Sequence, residues 1–112
     1  MEIEQVIEKL KDINPFIDYL EKTTDEEWQT DKVRDKGNKK NCVMGHLINW
    51  VYGKDYQGVI SPTWDMFEEM WATTYMIYPV NDGENINYKQ MTPKERIIAY
   101  LKDLRDGKTK RT

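Results

Sequence analysis

The sequence predicts an all-α fold, a compact single domain of about five or six helical segments. Three observations lead there. Apolar residues recur at helical spacing in several separate stretches, Thr, Asn, Ser and Pro mark where those stretches begin, and no extended run is long enough for a sheet. The 112 residues include 38% apolar side chains, with four Trp, seven Tyr and two Phe, and no low-complexity linker divides them. Residues 1–107 are therefore expected to form one helical domain, with residues 108–112 as a basic flexible tail.

From Glu2 to Asp12, Ile3, Val6, Ile7 and Leu10 fall at the i, i+3, i+4 and i+7 positions of an amphipathic helix, and Ile13 extends the stripe. Asn14-Pro15 interrupts it and opens a second helix with Phe16, Ile17 and Leu20 inward. Thr24 to Glu27 has the form of a capping box, which predicts a short helical turn carrying Trp28. Residues 35–41 lack apolar anchors, contain Gly37-Asn38, and are read as a loop.

Asn41 to Gly53 is expected to be the central helix, capped by Asn41 and stopped by Gly53. Its Val43, Met44, Leu47, Ile48 and Val51 form an apolar stripe, while Cys42, Gly45, His46 and Asn49 lie opposite. Ser61-Pro62 starts another helix, on which Trp64, Phe67, Trp71 and Tyr75 are expected to share one core-facing side. Tyr78 to Glu84 shows turn chemistry, so a structured Asn-Asp-Gly turn is placed before the last helix. That helix has the clearest local signal, with Thr92 as N-cap, Pro93 first, Glu95 completing a capping box, and Ile97, Ile98, Tyr100, Leu101 and Leu104 following.

The charge pattern narrows the function classes. A net charge of −3 argues against direct nucleic-acid binding. Yet Lys32, Arg34, Lys36, Lys39 and Lys40 precede the central helix with Asp35 as the one acid among them. Either this is a solvated loop, or it is an anion-attracting rim at a helix N-terminus, where a small anionic ligand could bind. One cysteine forms no intramolecular bridge, and one Cys with one His falls short of a structural zinc set, so no metal or other cofactor is expected. The absence of a signal peptide or long apolar run leads to the expectation of a cytoplasmic protein with no membrane partner.

The residues suited to chemistry are Cys42, His46 and Asp82. At the first helical position Cys42 would be favoured as a thiolate, His46 lies one turn on, and Asn81 or Asp82 could orient the imidazole if the turn packs nearby. The competing reading makes Cys42 and Gly45 small so that another helix can pack closely, and has His46 bonded to a backbone carbonyl.

Several segments agree in order with a known pattern. Trp28-Gln29, Cys42-Val43-Met44-Gly45-His46-Leu47, Val80-Asn81-Asp82-Gly83 and the run from Thr92 to Leu101 resemble a family of small uncharacterised bacterial and bacteriophage proteins. Its pattern is W-x-x-G, C-x-x-G-x-L, N-D and a closing T-x-x-E-x-V/I helix, and the resemblance spans roughly residues 28 to 104. Many members carry tryptophan where this chain has Val80, and a glycine-rich loop where this one is lysine-rich. The resemblance implies a fold and a bacterial or phage setting, and it singles out Trp28, Cys42, Gly45, His46, Asn81 and Asp82.

The resemblance implies no activity, and two functions are expected from the small acidic chain, its aromatic excess and its Cys42/His46 face. The first is a phage- or mobile-element-type binding protein acting on a host protein, for instance an inhibitor of anti-phage defence such as an anti-CRISPR, with Trp28, Lys39, Lys40, Gly45, Asn49 and Asn81 as binding residues. The alternative is a small thiol enzyme, or a sequestering protein for a nucleotide-like ligand, built on the Cys42/His46 face with Asp82.

Overall fold

The computed structural model describes residues 2–112. They form six helices: α1 (Ile3–Leu10), α2 (Asn14–Glu21), α3 (Val43–Tyr52), α4 (Ser61–Met70), α5 (Thr74–Asp82) and α6 (Pro93–Arg105), with one 3₁₀ turn at Asp25–Glu27. Among the described residues there is no strand, only isolated bridges from Asn41 to Trp28 and to Arg34. The radius of gyration, 13.0 Å, is that of a compact folded chain of this length. No described helix is long and apolar enough to cross a membrane.

The amphipathic pattern of α1 buries Val6 and Leu10 against α4, and Trp71 Nε1 donates to the Leu10 carbonyl (2.7 Å) where α1 ends. Phe16, Ile17 and Leu20 turn α2 toward α3 and α6. Thr24 and Glu27 close the capping box on the 3₁₀ turn, the Thr24 N–H donating to Glu27 Oε1 at 2.9 Å, but the turn ends at Glu27 and Trp28, expected within it, is already extended. Helix α3 is walled in on most sides, its Val43, Gly45, His46, Leu47, Ile48, Asn49 and Val51 all buried. At α6, Thr92 Oγ1 accepts from the Glu95 N–H (3.2 Å), and Ile97, Tyr100 and Leu101 complete the core against α2 and α5.

Four further expectations need correction. First, α3 begins at Val43 with Cys42 as its N-cap, not Asn41. Asn41 is pulled back into the preceding segment, where its N–H donates to the Glu27 carbonyl (2.9 Å) and its carbonyl accepts from the Gln29 N–H (3.0 Å).

Second, the stripe from Trp64 to Tyr75 is broken. Helix α4 ends at Met70, and Tyr75, in the first turn of α5, is 91% exposed. Glu68 Oε1 makes the break by accepting from both Trp64 Nε1 and the Thr74 N–H, each at 3.1 Å, so one carboxylate serves the end of one helix and the start of the next.

Third, Tyr78 to Asp82 is helical. Pro79 sits inside α5, and the turn signal marks only the helix end, at Gly83 with φ +81. The last α5 carbonyls are held by Arg96, a guanidinium 8% exposed, whose Nε donates to the Val80 carbonyl (2.9 Å) and Nη2 to that of Asn81 (2.8 Å), while Nη1 reaches Gln90 (2.9 Å).

Fourth, the tail is docked. Tyr100 Oη donates to the Lys110 carbonyl (2.8 Å), the Thr73 N–H donates to the Arg111 carbonyl (2.8 Å), and the Arg111 guanidinium takes the carbonyls of Glu68, Glu69 and Trp71 at the end of α4.

Removing Arg96 leaves buried carbonyls without donors and opens space beneath the α5 to α6 loop. Arg96→Ala is expected to lower stability by about 3 kcal/mol in urea unfolding; a change below about 1 kcal/mol would show that the guanidinium does not hold the end of α5.

Candidate functional site

The polar face of α3 is covered by the chain segment that precedes it. Cys42 N–H donates to the Val33 carbonyl (3.0 Å), and the backbone crosses so close to Gly45 that a Cβ there would overlap the Val33 carbonyl and the Asn41 side chain. Glycine is required at this position by that approach, not by a special backbone angle.

Trp28 lies on His46 with ring centroids 4.2 Å apart, and its Nε1 donates to Thr23 Oγ1 (2.8 Å). His46 Nε2 lies 3.1 Å from the Glu27 carbonyl, which can only accept, so that nitrogen carries the proton. The other ring nitrogen, Nδ1, is buried without a partner. Burial pushes the His46 pKa down from 6.5 to about 4; the Glu27 backbone and carboxylate oppose this and Lys54 adds to it. A second proton, at Nδ1, would meet no acceptor, and the ring is held neutral.

Asn81, at the end of α5, reaches the start of α3. The Val43 N–H donates to Asn81 Oδ1 (3.0 Å), and Asn81 Nδ2 donates to the Gln29 carbonyl (3.1 Å) and to Asp82 Oδ1 (3.0 Å). With the Val43 N–H engaged and the Cys42 N–H on Val33, this helix start is not the open anion seat that the lysines before it suggested. The fully buried Asn81 is a tie among three chain segments.

Cys42 is 2% exposed. Burial pushes its thiol pKa up, the N–H groups of Gly45 and Met44 pull the other way, and the Asp82 carboxylate raises it further. The expected thiolate is thus replaced by a protonated thiol. His46, committed to Glu27 and stacked on Trp28, is not disposed as its base. Asn49, also buried, accepts from Arg34 Nη2 (2.8 Å).

Cys42 and Asp82 do share a cleft of about 320 Å³, lined by Asp31, Lys32, Val33, Cys42, Tyr78 and Asp82. Asp31 has φ +68, and its N–H donates to Asp82 Oδ1 (3.3 Å). Burial pushes the Tyr78 pKa up to about 12, with Cys42, Glu68 and Asp82 adding to the shift, and its hydroxyl donates to Met44 Sδ (3.6 Å). The cleft can hold a small polar or cationic group beside the Asp31 and Asp82 carboxylates, and its thiol is held protonated.

The structure therefore gathers Trp28, Gly45, His46 and Asn49 on the packed face, places Cys42 and Asp82 at the cleft with Asn81 behind them, and leaves Lys39 and Lys40 exposed on the loop. Sequence reasoning missed Asp31, Tyr78 and Asn38. Only Asn38 carried a local signal, through its turn-forming pair with Gly37. Among the described residues no three His, Cys, Asp or Glu side chains come together as metal ligands. Compared with protein-family models, curated proteins and solved structures, the chain matches none.

The His46 shift has a definite sign. Its folded-state pKa lies below its unfolded one, so the stabilisation is full above pH 6.5 and is lost as the pH falls toward 4. At about 1.4 kcal/mol per unit, the loss is about 3 kcal/mol across that window. Urea unfolding of the wild type should show it and His46→Leu should not; equal slopes in the two proteins would contradict a neutral buried imidazole. Cys42 is expected to resist iodoacetamide at pH 7 in the native protein and to react fully in guanidinium, with labelling read by mass spectrometry. Native labelling as fast as unfolded labelling would restore a reactive thiol.

Proposed function

We propose that the protein is a non-catalytic binding protein acting on a partner protein, in the bacterial or phage setting that its motif order suggests, where a host anti-phage defence component is the kind of target such a molecule would inhibit. The observation that carries this reading is the commitment of the α3 polar face to packing. Cys42 is a buried, protonated N-cap and His46 a neutral ring clamped between Trp28 and the Glu27 carbonyl, so the residues best suited to thiol chemistry are used structurally.

Two further features support it. Tyr75 and Met91 stand 91% and 89% exposed, and large exposed side chains of this kind serve as interface anchors. Asp31, at φ +68, occupies the place where the resembling family's W-x-x-G pattern has glycine, the residue that adopts such a backbone most readily.

A second reading, sequestration of a small ligand, is favoured by one observation, the cleft between residues 31–33 and α5. Its volume of about 320 Å³ falls at the lower end for ligand pockets. A melting-temperature rise with a small ligand, lost in Asp82→Ala, would favour it.

The test of the first reading is affinity capture from a bacterial lysate followed by mass measurement of the isolated species. A stoichiometric complex is expected, unchanged in Cys42→Ala. No complex at all, or an activity that turns over and disappears in a folded Cys42→Ala variant, would overturn it.

A further inference from the structure

The lysine-rich tip between Arg34 and Asn41 is held more firmly than a solvated loop requires. Gly37 at φ +87 and Asn38 at φ +55 turn the chain back on itself. Asn38 Nδ2 donates to Asn49 Oδ1 (3.1 Å) and to the Lys54 carbonyl (2.8 Å), and Asn38 Oδ1 accepts from Asn41 Nδ2 (2.9 Å). Arg34 turns inward, its Nε donating to Asn41 Oδ1 (3.3 Å) and its Nη2 to Asn49 Oδ1 (2.8 Å).

Asp35, the one acid between residues 32 and 40, places Oδ1 at 2.7 Å from the backbone N–H of both Lys39 and Lys40. It braces the turn and leaves the lysine side chains unpaired. Lys32, Lys36, Lys39 and Lys40 are exposed, and among the described residues none lies within ion-pair distance of a carboxylate. Because Asn38 is bonded to Lys54, the tip adjoins the stretch that carries the Tyr52 and Tyr56 rings, stacked 4.1 Å apart.

We infer that this tip is a docking surface for an acidic segment of a partner protein, an inference that rests on the binding-protein reading above. Charge complementarity selects the occupant. Residues 32–40 carry five basic side chains and one acidic, whereas the rest of the chain carries twelve basic and nineteen acidic. A compact acidic determinant meets only the tip. A long polyanion such as a nucleic acid runs past it onto a strongly acidic remainder and is repelled there. Fixing the turn before the encounter also removes the ordering cost that a floppy lysine loop would meet on binding.

The experiment titrates the full chain into fluorescently labelled octaglutamate at low salt and reads anisotropy, with octaglutamine as the neutral control and an eight-nucleotide oligothymidylate as the nucleic-acid arm. Octaglutamate is expected to bind, to weaken about two- to fivefold with each of Lys36→Gln, Lys39→Gln and Lys40→Gln, and to weaken as salt is raised. Asn38→Gly keeps every charge and permits the same backbone turn while removing the amide that pins the tip, and it is expected to lower affinity too. An unchanged Asn38→Gly affinity overturns the pre-organised tip. Oligothymidylate binding as tight as octaglutamate, no binding of either, or lysine variants indistinguishable from wild type overturns the docking surface. Loss of the tip inference with a captured complex still intact leaves the binding-protein reading standing, whereas absence of any complex removes that reading itself.

Discussion

The fold depends on one close approach, the crossing of the 28–42 segment over α3 at Gly45. A backbone can lie this near a helix only where the helix has no Cβ and where its own polar groups find partners on arrival. Both conditions are met. Val33 and Glu27 carbonyls receive N–H groups from Cys42 and Asn41, and Asn81 closes the start of α3 from 38 residues away in sequence. Trp28 then covers His46, so a segment with little regular structure becomes part of the core. The lysine tip is a by-product of the same crossing, because Arg34, Asn38 and Asn41 have to settle their polar groups against Asn49.

Most of the helical architecture was legible because its signals are local. Thr92 and Pro93 specify the start of α6 locally, although only the Thr92 half of the expected capping box forms there, and Thr24 with Glu27 completes one at the 3₁₀ turn. Where the reading failed, the deciding groups lie far away in sequence. Nothing between Tyr78 and Asp82 announces that Arg96 will gather the last carbonyls of α5 and let a proline-containing stretch finish as helix. Nothing near Met70 says that Arg111 will dock on the end of α4 and order the tail. Long-range caps made by guanidinium groups are invisible to periodicity, which sees only neighbours three and four residues apart.

The candidate site was half legible for the same reason. The helical wheel isolated Cys42, Gly45, His46 and Asn49 as a polar face, and that face is packed as the competing reading expected, but by a non-helical segment where another helix was expected. Periodicity could not say that the neighbour would be the preceding loop. That loop decides the electrostatics: it desolvates His46 and Cys42 in opposite senses of charge, holding one unprotonated at Nδ1 and the other protonated at sulfur. Asp31 and Tyr78, which define the cleft with Asp82, carried no motif, since their importance arises only once the segment folds back on α5.

The orphaned Nδ1 of His46 makes the molecule unevenly stable. Protonation there is opposed while Trp28 and the Glu27 carbonyl clamp the ring, so proton uptake favours any state in which the covering segment lifts away. Acid then acts as a local wedge rather than a general denaturant. The 28–42 strap is the segment that acid would bias toward opening, because the cluster of α2, α5 and α6 around Phe16, Val80 and Tyr100 contains no histidine. Opening of that strap would uncover Cys42 and release the lysine tip together, because the Cys42 contact with Val33 and the Asn38 contact with Asn49 both belong to it.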